Sequence, residues 1–82
     1  MEGATEVSDT ATSDAKILCD SLTTTELTVL QLSAKGLSST EVGALLGRSH
    51  KTVEVHRSAI ISKFEANTMI ECVVIGCKAG VI

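Results

Sequence analysis

Apolar residues in this chain recur at helical spacing in four blocks, each opened by a small hydroxyl residue. In the first block Leu27, Leu30 and Ala34 share one face and Gly36 ends the run. Thr23 and Glu26 stand at capping-box spacing, where each side chain satisfies a free backbone N–H of the first turn. Leu22 and Leu27 flank that box as a hydrophobic staple. The second block repeats the grammar. Ser38 and Glu41 make the box, Leu37 and Val42 the staple, Val42, Leu45 and Leu46 the buried stripe, and Gly47 the stop. At about two turns, this helix is stable only when packed.

The third block is capped by Ser49 and runs to about Phe64. Val53, Ile60 and Phe64 fall in one narrow arc and are expected to face the core, with His56 and Arg57 flanking it. Lys51, Val55, Ser58 and Ser62 point the opposite way, with Glu54 at the edge. The fourth block starts near Thr68, where Thr68 and Glu71 again have box spacing, and ends before Gly80. Ile70, Cys72, Val73, Val74, Ile75 and Cys77 make it apolar nearly all round. A terminal helix buries only one side in its own core, so the other side predicts a subunit contact. Cys72, Val74, Ile75 and Lys78 are the candidates for it.

Residues 1–15 show no such periodicity and are rich in Thr, Ser, Ala, Asp and Glu, which predicts a flexible acidic tail. Residues 16–82 are expected to form the domain, with a turn of helix over 16–21 docking on it. With 82 residues, no proline and Phe64 as the single aromatic, the chain suits one small all-α domain of four helices. The second and third helices, joined at Gly47, have the layout of a helix-turn-helix.

The net charge of −3 points away from nucleic acid until it is divided. Residues 1–21 carry Glu2, Glu6, Asp9, Asp14 and Asp20 against Lys16, whereas residues 22–82 carry six basic and five acidic side chains. An acidic tail therefore masks a mildly basic domain in which Arg48, His50, Lys51, His56 and Arg57 cluster. The three cysteines are odd in number and lack CxxC spacing, which favours a reducing cytosol over a disulfide framework. Cys72 and Cys77 read as small hydrophobes, and neither a metal nor a cofactor is expected. No signal peptide is apparent, and the apolar run 72–77 is far too short to span a bilayer. Phosphate loops, nucleophile elbows and paired-His metal motifs are all lacking, so the chain does not read as an enzyme.

The strings LTTTELTVLQLSAKGLSSTEVGALLG and SHKTVEVHRSAIISKF, with the last helix and its closing Gly80-Val81-Ile82, resemble the LuxR/GerE-type DNA-binding domain. They are most similar to its FixJ-like response-regulator branch. The resemblance runs from Leu22 to Ile82. It implies a four-helix domain that regulates transcription as a homodimer on paired half-sites of double-stranded DNA, joined through the last helix. A receiver or sensor domain, or another regulator, is the implied protein partner, and the implied setting is the bacterial cytoplasm.

With that resemblance, the helix over about 50–64 is expected in the major groove. Glu54, Val55 and Ser58 are the candidate base readers. Glu accepts from cytosine N4, Val contacts a thymine methyl and Ser pairs with several base edges. Many family members carry basic residues at the positions of Glu54 and Ser58. Lys51, Arg57 and Lys63 are expected to neutralise phosphates, with Thr52 and the first-turn backbone N–H groups beside them. Thr40 occupies a further phosphate-contact position of the family. His50 lies near the backbone in the first turn. His56 either bonds a carbonyl at the core edge or touches a phosphate, and the second is favoured. A rival reading is an interaction module that pairs with and inhibits another regulator, kept alive by the acidic total charge and by Glu54 and Ser58.

Overall fold

A computed structural model describes residues 14–82. Helix α1 covers residues 14–20. It is followed by α2 (Thr24–Ala34), α3 (Ser39–Leu46), α4 (His50–Phe64) and α5 (Met69–Ala79). Among the described residues there is no strand, so the all-α expectation holds: the four anticipated helices are present, and the turn of helix expected over 16–21 forms α1 over 14–20. Asp14 and Ala15, expected in the tail, are helical, and Ala15 is buried. Ala15, Leu18 and Cys19 supply the reason: their spacing gives α1 an apolar stripe, with Asp14, Lys16, Ile17 and Asp20 outside it.

The caps are made by the residues the spacing predicts. Thr23 Oγ1 accepts from Glu26 N at 3.1 Å, and Glu26 Oε1 accepts from Thr23 N at 2.9 Å. Ser38 and Glu41 repeat this at 3.2 and 2.9 Å. Ser49 Oγ accepts from Thr52 N at 3.1 Å. At α5 the box is one-sided: Thr68 Oγ1 accepts from Glu71 N, but the Glu71 carboxylate accepts from Asn67 N at 3.0 Å.

Helix α4 packs against α2, α3 and α5. Val29, Leu30, Val42, Val53, Ile60 and Cys72 are fully enclosed between them, with Cys19 and Phe64 at the margin. Burial of each such side chain stabilises the fold by about 1.5–3 kcal/mol for the larger aliphatics. Two expected placements are corrected. Leu45 is 65% exposed instead of buried. The inward face of α3 is formed by Ser39, Val42, Gly43 and Leu46, and Leu45 lies roughly 60° beyond its edge at 100° per residue. Cys72, expected at a subunit contact, is fully buried in the domain's own core, because its side of α5 faces the other helices.

The turn between α3 and α4 depends on two glycines. Gly47 caps α3 at φ 67°, a left-handed conformation that costs other residues about 1 kcal/mol. Gly43 lets the turn fold back on the helix. A Cβ there would lie 2.6 Å from the Arg48 carbonyl oxygen, while Arg48 N donates to Gly43 O at 2.9 Å. The start of α4 is thus held tightly against α3.

Candidate nucleic-acid interface

Helix α4 offers one exposed face. Lys51, Glu54, Val55, Ser58 and Ser62 lie along it at intervals of three and four, all exposed, with Val55 at 63%. Beneath that face Val53, Ile60 and Phe64 anchor the helix in the core, as their register predicted. His56 and Arg57 are half-buried at the boundary. The first turn and its approach carry Arg48, His50 and Lys51, all exposed. The Thr52 hydroxyl lies 2.9 Å from the Ser49 hydroxyl, so it is already engaged at the cap. Thr40 is exposed in the first turn of α3.

The basic residues further along α4 are turned toward the protein. Arg57 reaches across to α2 and α3. Its Nε and Nη2 donate to Ser33 Oγ at 3.2 and 3.1 Å, Nη1 donates to Ser39 Oγ at 2.9 Å, and Nη2 donates to the Leu37 carbonyl at 3.4 Å. Nη1 also lies 3.7 Å from Glu54 Oε2, and the arginine side chain is only 24% exposed. A guanidinium carries five donors in a fixed fork, which suits it to bridge several acceptors at once. Lys63 Nζ donates to Glu26 Oε1 at 2.6 Å and to the Ser21 carbonyl at 3.3 Å. Both were expected to meet phosphates. In the structure they join helices, because buried acceptors on α2 and α3 lie within reach of their long side chains.

Glu54 belongs to the same cluster. The Ser39 hydroxyl donates to its Oε2, and Ser39 itself is buried. The Ser39 bond, with help from the nearby Arg57 and His50 charges, holds the Glu54 carboxyl below the usual carboxylate range. It is therefore an ionised acceptor at neutral pH. Glu26 is different. Its burial alone would push the carboxyl up, but the bonds from Lys63 and Thr23 more than offset this and leave it lowered. At α5, Val74 and Lys78 are exposed, whereas Ile75 is half-buried against the core. Ile70 is the most exposed large apolar side chain of that helix, at 75%, and was not among the expected contact residues. Cys77 is also exposed.

Sequence reasoning missed Ser33 and the structural use of Ser39. Ser33 sits in the last turn of α2, where nothing in its immediate sequence marks a partner 24 residues away. For Ser39 a signal existed: it lies on the inward arc of α3 defined by Val42 and Leu46, where a polar side chain requires a partner. Among the described residues no group of His, Cys, Asp and Glu has the arrangement of a metal site. Nor, among them, is any helix long and apolar enough to cross a membrane.

Residues 20–75 match the family model of bacterial regulatory proteins of the luxR family. The putative positive transcription regulator of virulence factors BvgA of Bordetella pertussis is 34% identical over 65 residues, which cover 79% of this chain and 31% of that protein. The uncharacterized response regulatory protein YgeK of Escherichia coli K12 is 38% identical over 73% of this chain and 41% of its own length. The transcriptional regulatory protein TdiR of Thauera aromatica is 48% identical over 56% of this chain and 20% of its own. The chain thus spans less than half the length of these relatives. With the match to the family model covering the α2–α4 core and most of α5, the chain belongs to the luxR family of bacterial regulatory proteins.

Proposed function

We propose that this domain binds double-stranded DNA sequence-specifically to regulate transcription, with α4 in the major groove. The observation that carries the reading is the exposed row Lys51, Glu54, Val55 and Ser58 on a helix whose start is fixed against α3 by Gly43 and Gly47. A helix held in that way enters the groove as a rigid probe. Lys51, with Arg48 and His50 beside it, supplies phosphate attraction at the helix start. Glu54, Val55 and Ser58 face the base edges. Two such domains pair through α5, with Ile70 and Val74 as the contact and Lys78 at its rim. This places two recognition helices on paired half-sites. The names of the relatives, a transcription regulator and a response regulatory protein, support a role downstream of a receiver domain.

The test is titration of random-sequence duplex at low salt, with sedimentation of an Ile70→Glu/Val74→Glu variant alongside. Binding that weakens steeply with salt, and a variant that stays folded but no longer pairs on DNA, are expected. Unchanged pairing would remove α5 from the interface. A second reading is favoured by Arg57 and Lys63 being engaged inside the domain, which leaves α4 less basic than its sequence implies. In it, the domain pairs with another regulator and blocks it. Complete lack of duplex binding at low salt selects this reading.

A further inference from the structure

The Ser39–Glu54–Arg57 cluster is built more elaborately than a groove-facing side chain requires. Ser39 is 4% exposed, and its hydroxyl does two things at once: it accepts from Arg57 Nη1 and donates to Glu54 Oε2. Arg57 is in turn fixed by Ser33 and the Leu37 carbonyl. The chain of bonds therefore runs from α2 and the α2–α3 turn, through a buried hydroxyl on α3, to a carboxylate on the outer face of α4. Only one oxygen of that carboxylate is engaged. Among the described residues nothing bonds Oε1, and the Glu54 side chain is about half exposed.

We propose that Ser39 and Arg57 are positioning residues that pre-orient Glu54 as a single fixed acceptor, so that it reads an exocyclic amino group in the major groove, that of cytosine foremost. This rests on the DNA-binding reading above. An unrestrained glutamate samples many rotamers and loses that freedom on binding, whereas a tethered one has lost it already. The Ser39 hydroxyl bonds the tethered oxygen, and the Arg57 guanidinium stands 3.7 Å from it as an ion pair. The free oxygen of an ionised carboxylate accepts only, so it pairs with the cytosine N4 amino group and rejects the acceptors O6 and N7 of guanine. The hydroxyl that sets this geometry makes no base contact itself. Base preference at that step is thereby written partly on α3, 15 residues away in sequence.

The experiment is selection from a randomised duplex library with the full chain, its Ser39→Ala variant and its Glu54→Gln variant, each checked for folding by thermal melting. Glu54→Gln, which adds a donor, identifies the base pair that this position reads, by losing its preference there. Ser39→Ala is expected to relax preference at that same base pair by about fivefold, the lower end for a single base contact, while affinity for random duplex stays unchanged. Carboxyl titration by NMR in the free protein is the second readout. Glu54 is expected to titrate below the ordinary range, and to move back up in Ser39→Ala. If Ser39→Ala does not fold, an ordinary Glu54 titration in the unaltered chain overturns the proposal. A base preference unaffected by Ser39→Ala in the folded variant also overturns it, and leaves DNA binding standing. Lack of binding to any duplex by the unaltered chain overturns both.

Discussion

The two halves of α4 use the same kinds of residue for different ends. Around its start, Arg48, His50 and Lys51 are exposed and make no side-chain hydrogen bond to the described residues. Further along, Arg57 and Lys63 hold α4 to the serines of α2 and α3, to the Leu37 and Ser21 carbonyls and to Glu26. A count of basic residues along the helix would treat them alike. What separates them is whether an acceptor on a neighbouring helix lies within reach. A cation at the surface keeps its charge available to phosphate, while one held by buried acceptors already contributes to the fold.

The sharpest way to break this contrast is Arg57→Met, which keeps much of the side-chain volume and removes every donor. The buried Ser39 hydroxyl and the Leu37 carbonyl lose a partner, and each such loss costs about 1–3 kcal/mol. Chemical denaturation is expected to show a destabilisation of about 2–3 kcal/mol. Lys51→Ala, by contrast, is expected to stay within about 0.5 kcal/mol of the unaltered protein. Equal effects would erase the distinction.

Gly43→Ala probes what holds the first half in place. The added methyl meets a backbone oxygen, which cannot swing aside as a side chain would. A cost of about 1–3 kcal/mol is expected. DNA affinity should fall by more than melting accounts for, because the start of α4 shifts. A neutral substitution would show that the turn is looser than its geometry indicates.

The Glu26–Lys63 pair gives a smaller, pH-dependent signal. The Glu26 carboxyl is lowered in the fold, so the stability it contributes is fully present above its unfolded pKa and is lost as pH falls through its lower folded value. Stability is expected to decline on acidification below the ordinary carboxylate range. Glu26→Gln should flatten part of that decline and cost about 1–2 kcal/mol at neutral pH. An acid profile identical in the variant would mean that the pair contributes nothing.

Much of this fold was legible in the sequence. The hydroxyl–Glu spacing marked the starts of α2 and α3, and the register of Val53, Ile60 and Phe64 gave the buried side of α4. Misreadings arose where a helix is short or a partner is distant. Leu45 looked buried because, in an eight-residue helix, a small rotation decides which side faces inward. Helix α1 was anticipated as a turn over 16–21, but its first residues, Asp14 and Ala15, were assigned to the tail because they adjoin a polar stretch. The site was legible as a face and not as a circuit. Glu54, Val55 and Ser58 could be placed on one side by period, but the contacts of Arg57 with Ser33 and Ser39 join positions 24 and 18 residues apart, which periodicity does not encode.

The central claim is that α4 meets phosphate through its first turn, and that its later cations serve the fold. The direct measurement is the salt dependence of duplex binding for Lys51→Ala and for Lys63→Ala. Each phosphate contact contributes about 0.9 to the slope of log affinity against log salt. Lys51→Ala is expected to reduce the slope by about 1, and Lys63→Ala to leave it unchanged while lowering stability. Equal slope reductions, or a reduction in Lys63→Ala alone, would contradict the account.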